Sequence, residues 1–161
     1  MRQNSALRLT LWWFLFTALC IWIHSFISGI DCFGPAVLVL MHLKRYREAI
    51  WLTPMWILIN EGAGSLAFGS SLLWFAGLIL LFLFLCLFLS SSNLLFLFSL
   101  SLMAGTLQTG IIALMAALQE ITIPFERIVV QGILTALLFP VFWFAMLFAF
   151  QRWGRTRHVS V

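Results

Sequence analysis

Apolar runs and short polar interruptions alternate along the whole chain. The runs cover 9–27, 35–43, 49–61, 70–89, 94–118 and 128–150. A helix needs roughly 20 mostly apolar residues to cross a bilayer. The first and the last three runs meet that length, and the second and third fall short. The pattern predicts an all-α polytopic membrane protein: one domain over 1–161, built as a six-helix transmembrane bundle with two short spans.

The interruptions refine each run. Arg2 and Arg8 precede the first, and Trp12 and Trp13 suit a membrane interface. Its apolar stretch is too long for a signal-peptide core and no small-residue cleavage site follows, so a retained span is expected. Pro35 can open a helix, since its missing N–H would be unpaired there anyway. Pro54 is a kink candidate in the third run, and Pro140 in the sixth. The fourth run, LLWFAGLILLFLFLCLFL, is apolar all round and predicts heavy lipid exposure. Within Ser90-Ser91-Ser92-Asn93, a serine or Asn93 can cap the fifth helix. That helix carries Ser101, Gly105, Gln108 and Ile112 on one face, with Thr109, Ala113 and Ala117 beside it. Gln108 lies near mid-membrane and is expected to face protein, with an interhelical hydrogen bond as the plain reading. The 119–127 segment reads as an amphipathic interfacial loop, and the last run contains Gln131, Gly132 and Thr135.

Composition agrees with the pattern. The 161 residues are 63% hydrophobic and 9% charged, against roughly a quarter charged in soluble domains. The net charge of +4 does not signal nucleic acid, because Lys and Arg flank the apolar runs instead of forming a patch. With the N-terminus in the cytoplasm and six crossings, Arg2, Arg8, Lys44, Arg45, Arg47, Arg152, Arg155 and Arg157 fall inside. Arg127 alone falls outside, while Asp31, Glu61, Glu120 and Glu126 lie at the outer side. The positive-inside rule therefore favours both termini in the cytoplasm of a bacterial inner-membrane protein. Lys44, Arg45 and Arg47 form the main cytoplasmic cluster. It serves topology, and it is also a candidate docking point for a partner or for lipid head groups.

No catalytic constellation is present: there is no nucleophile elbow, phosphate-cradling glycine loop or H-E-x-x-H motif. His24, His42 and His158 fall on different predicted sides, so a shared metal site is not expected, nor is a cofactor. Cys20 and Cys86 read as small hydrophobes, and Cys32 has no evident partner.

One stretch stands apart. WILINEGAGSLAFG, 56–69, ends an apolar run with Asn60 and Glu61 and continues through Gly62, Gly64, Ser65 and Gly69. An ionisable residue at membrane depth is costly and is a functional suspect, and small neighbours permit close packing. Three readings of Glu61 stand: a solvated acid at the outer edge, an acceptor for free N–H groups at a broken helix, or a proton or cation site. Asn60, Glu61, Gly62, Gly64, Ser65, Gly69, Gln108 and Gln131 are the candidate packing or pocket residues.

The layout resembles the rod shape-determining MreD family, small proteins with six spans. Phe33-Gly34-Pro35-Ala36-Val37-Leu38-Val39-Leu40 is similar to the family's proline-containing re-entry. Ile59 through Gly69 resembles its acidic glycine-rich segment, of the form G-x-x-x-D-x-x-S/G-x-x-x-x-G. Here Glu61 stands for the Asp and Ile57 for the leading Gly. Leu138-Phe139-Pro140-Val141-Phe142-Trp143 resembles its final helix before a basic tail. The resemblance implies a non-enzymatic scaffold for cell-shape and peptidoglycan-elongation machinery, binding a bitopic MreC-like protein within a larger membrane complex. It also implies a fold similar to the substrate-binding subunits of vitamin transporters. A small-molecule pocket lined by Glu61, Gln108 and Gln131 is the alternative, and an accessory subunit of a larger complex a third reading.

Overall fold

A computed structural model describes residues 2–26, 31–63, 69–89 and 93–154. Among them are six helices and no strand: α1 (Arg2–Phe26), α2 (Phe33–His42), α3 (Tyr46–Ala63), α4 (Ser70–Phe88), α5 (Leu94–Leu118) and α6 (Phe125–Gly154). Three of them, over Ser70–Phe88, Leu94–Leu118 and Phe125–Arg152, are long and apolar enough to cross a membrane. The chain divides into two compact units, Met1–Cys32 and Phe33–Val161.

In the first unit α1 begins well before the predicted span, because a helical backbone continues past the last apolar side chain. Trp12 stacks on Phe16 at 5.6 Å and meets Trp13 edge-on at 4.5 Å. The Thr17 hydroxyl donates to the Trp13 carbonyl at 2.8 Å, satisfying its proton within the helix. Cys32, which has no partner by sequence, is a buried free thiol, as is Cys20.

In the second unit the shortest helix is the most deeply buried. Every residue of α2 from Phe33 to Leu40 is buried, with Leu38, Val39 and Leu40 fully enclosed. It packs against α3, α4 and α6. Pro35 is the third helical residue, not the first. That position is still permitted, because first-turn N–H groups have no acceptor inside the helix. The α2 terminus is closed by two bonds, Lys44 N to Met41 O at 3.0 Å and Arg45 N to Leu40 O at 2.9 Å. This is a Schellman motif with Lys44 at φ +57, where glycine is the usual residue. The α5 terminus repeats it through Glu120, at φ +55.

Two boundaries depart from the sequence expectation. α3 starts at Tyr46, so Tyr46, Arg47 and Glu48 form its first turn instead of a loop. The Arg45 carbonyl opens the helix by accepting from Glu48 N and Ala49 N. Likewise the Pro124 carbonyl accepts from Arg127 N and Ile128 N and starts α6 at Phe125, which shortens the expected interfacial loop. α3 passes Pro54, and α6 passes Pro140, each as a single helix. Asn93 caps α5, its side chain accepting from Leu95 N at 3.4 Å.

α4 is not a uniformly lipid-facing rod. Trp74, Phe75, Leu78, Phe82 and Leu85 fall on one buried stripe, while Leu80, Leu83, Phe84, Leu87 and Phe88 are exposed. Both faces are equally apolar, so periodicity cannot reveal the stripe. It feeds an aromatic core in which Phe82 meets Phe96 edge-on at 5.6 Å and Trp143 lies 5.7 Å from His42. On the other side of α2, Phe33 stacks on Trp56 at 5.2 Å.

Candidate functional site

The helical path between Trp56 and α4 is interrupted at Gly69, whose backbone is left-handed at φ +100. α3 ends at Ala63 and α4 begins at Ser70. Gly64 and Ser65 lie outside the described residues. Across this break the Glu61 carboxylate reaches the start of α4. Its Oε2 accepts from Gly69 N at 3.0 Å and its Oε1 from Ser71 N at 2.9 Å.

The need for this acceptor follows from the sequence. The first N–H groups of a helix lack partners, and a Ser, Thr, Asp or Asn side chain at the N-cap normally serves one of them. Here the N-cap is Gly69, which has no side chain to offer. It also sits at φ +100, a backbone region that L side chains rarely adopt. Glu61 supplies from the preceding helix what the cap residue lacks. It also brings negative charge to the positive end of the α4 dipole. Because both oxygens are engaged by backbone, the half-buried carboxylate ties two helices together.

The other candidates lie apart from this bond. Asn60 is half-buried, and Gly62 is exposed with open space where a Cβ would stand. Gln108 and Gln131 are both half-buried, on α5 and α6. They flank a close approach between α5 and α6. A Cβ on Gly105 would fall 2.6 Å from the Gly132 carbonyl oxygen and 2.8 Å from the Ala136 Cβ. One on Gly132 would strike the Thr109 hydroxyl and come within 2.9 Å of the Gly105 oxygen. Sequence reading puts Gly105 and Gly132 in separate spans and does not pair them. The signal in the sequence is a mid-helix glycine with a threonine within four residues in each run, but the fifth run carries two such glycines, Gly105 and Gly110, and only the structure singles out Gly105. Of the expected α5 face, Ser101, Gly105 and Ile112 are buried, whereas Ala113 and Ala117 of the neighbouring stripe are exposed.

A groove of about 390 Å³ lies along α4 and α5, lined by Leu81, Met103, Thr106, Leu107, Gly110, Ile111 and Leu114. It is open and almost wholly apolar, and Glu61, Gln108 and Gln131 do not line it.

The basic cluster separates into different roles. The Arg45 guanidinium pairs with Glu48 at 2.6 Å and lies 4.8 Å over the Phe150 ring of α6. Lys44 and Arg47 are exposed. Among the described residues no three His, Cys, Asp or Glu side chains are grouped to hold a metal ion. Comparison with protein-family models, curated proteins and solved structures gave no match.

Proposed function

We propose that this protein is a membrane scaffold of the MreD kind. It would be a non-enzymatic bundle of six crossings in the bacterial inner membrane, with both termini in the cytoplasm. It would bind a bitopic MreC-like partner and support the cell-shape and peptidoglycan-elongation machinery. The observation that carries this reading is the use made of Glu61. An acid whose two oxygens accept Gly69 N and Ser71 N holds the α3–α4 junction, so both oxygens already serve the fold. The segment with the clearest family resemblance is thus engaged in architecture, as a scaffold requires.

The short second crossing is physically admissible. At about 1.5 Å per residue α2 extends only about 15 Å, half of the roughly 30 Å hydrocarbon core. A short helix at membrane depth is tolerated where protein surrounds it, and α2 is buried from Phe33 to Leu40.

Purification in mild detergent, followed by mass spectrometry of bound proteins and small molecules, tests the reading. A bitopic membrane protein in fixed ratio is expected. Recovery of a vitamin-like ligand with an ATPase module alone would overturn it. A reporter fused at Val161 is expected in the cytoplasm, and a periplasmic signal would break the six-crossing topology.

A further inference from the structure

Among the described residues of its own unit, nothing covers one face of α3, and the charge and apolar character of that face are arranged in order. Ala49, Leu52 and Trp56 are buried on the inner face. On the outer face Arg47, Ile50, Trp51, Pro54 and Leu58 follow helical spacing. Ile50 is 73% exposed, Trp51 56% and Leu58 67%. Lys44, also exposed, stands just before the helix in the left-handed turn. Two cations therefore stand at one end of an exposed apolar stripe.

The length of the stripe identifies what fits it. From Arg47 to Leu58 the helix rises about 16 Å at 1.5 Å per residue, close to one leaflet of a hydrocarbon core roughly 30 Å thick. We infer that an anionic phospholipid lies along α3. Its phosphate contacts Lys44 and Arg47, and an acyl chain covers Ile50, Trp51, Pro54 and Leu58. A water-soluble acidic peptide would satisfy the cations and leave the stripe bare. A partner helix without an acidic flank would cover the stripe and leave the cations unpaired.

The fold also explains why these two cations and not the third. Arg45 is committed to Glu48 and Phe150. The Schellman turn fixes the backbone of Lys44, and Arg47 belongs to the first turn of α3. Both positive charges are thus carried by ordered backbone. The inference rests on the membrane placement of the protein and is independent of the scaffold reading and its partner.

The test uses the full-length protein reconstituted in mixed phosphatidylcholine and phosphatidylglycerol nanodiscs, with the lipid retained on gentle extraction counted by native mass spectrometry. The wild type is expected to retain phosphatidylglycerol above its bulk share. In Lys44→Gly/Arg47→Gln, preference should fall on the order of fivefold per cation removed, from the electrostatic contribution of a basic residue at a lipid surface. Lys44→Gly suits the left-handed position, so this variant should keep its helical circular dichroism. Trp51→Ala/Leu58→Ala should lower total lipid retention and leave the headgroup preference in place. Bulk-ratio lipid on the wild type, or unchanged preference in the charge variant, overturns the proposal. So does a glutamate-rich peptide bound tightly through Lys44 and Arg47 in phosphatidylcholine discs while phosphatidylglycerol shows no preference.

Discussion

The carboxylate of Glu61 accepts the backbone N–H of Ser71 at 2.9 Å, joining the end of α3 to the first turn of α4 across ten residues of chain. With the companion bond from Gly69 N, a single side chain performs the capping that Gly69 cannot. Removing it leaves two N–H groups without this acceptor in a half-buried position. Glu61→Ala is expected to cost about 2 kcal/mol, in the range of lost caps and charge-assisted hydrogen bonds. Glu61→Gln keeps one acceptor oxygen, loses the charge, and should cost about half as much. Thermal unfolding in detergent reads both. Equal stability of wild type and Glu61→Ala would sink the capping role.

The α5–α6 approach gives a sharper contrast between glycines. Gly105→Ala places a methyl group against the backbone oxygen of Gly132, which has little freedom to move. Overpacking of this kind costs about 1–3 kcal/mol. Gly110, on the same helix, has nothing within 4 Å of the new methyl. There the helix propensity of alanine, worth up to about 1 kcal/mol over glycine, should appear as a gain. Opposite shifts in melting temperature are expected, and matching shifts would reject the close crossing.

Backbone hand predicts a second pair of opposite effects. Gly69 lies at φ +100, so Gly69→Ala is strained even with open space around it. The cost should be about 1–2 kcal/mol. Glu120 occupies the left-handed region at φ +55 without being glycine. Glu120→Gly should therefore stabilise, by up to about 1 kcal/mol, since relief of strain outweighs the extra freedom of the unfolded chain. Thermal shift assays of the two variants check both signs.

Arg45 links the start of α3 to the end of α6. The ion pair with Glu48 is screened where it meets water, and such pairs contribute about 0–1 kcal/mol. The contact with Phe150 adds a cation–π term of about 0.5–1 kcal/mol. Arg45→Ala is expected to lower stability by about 1 kcal/mol, and Phe150→Leu by somewhat less. A double-mutant cycle should find the two effects less than additive. Full additivity would show that the residues do not act together.

The six helices were legible in the sequence because each is a local pattern. The apolar runs, the Asn93 cap and the charges at the run ends need only near neighbours to be recognised. Glu61 was visible as an anomaly for the same reason, since a carboxylate beside a small-residue stretch at the end of an apolar run is unusual wherever it points. Tertiary structure decided what each feature touches. Gly69 and Ser71 as the partners of Glu61, the pairing of Gly105 with Gly132, and the reach of Arg45 to Phe150 all cross from one element to another. In a chain this apolar, α4 carries leucine and phenylalanine on every face, so nothing local marks Trp74, Phe75, Leu78, Phe82 and Leu85 as its inner side. The short α2 reads by length as half a span, yet it is the buried centre of its unit. Hydrophobicity fixes which residues leave water. Shape complementarity between helices fixes which of them leave the surface altogether.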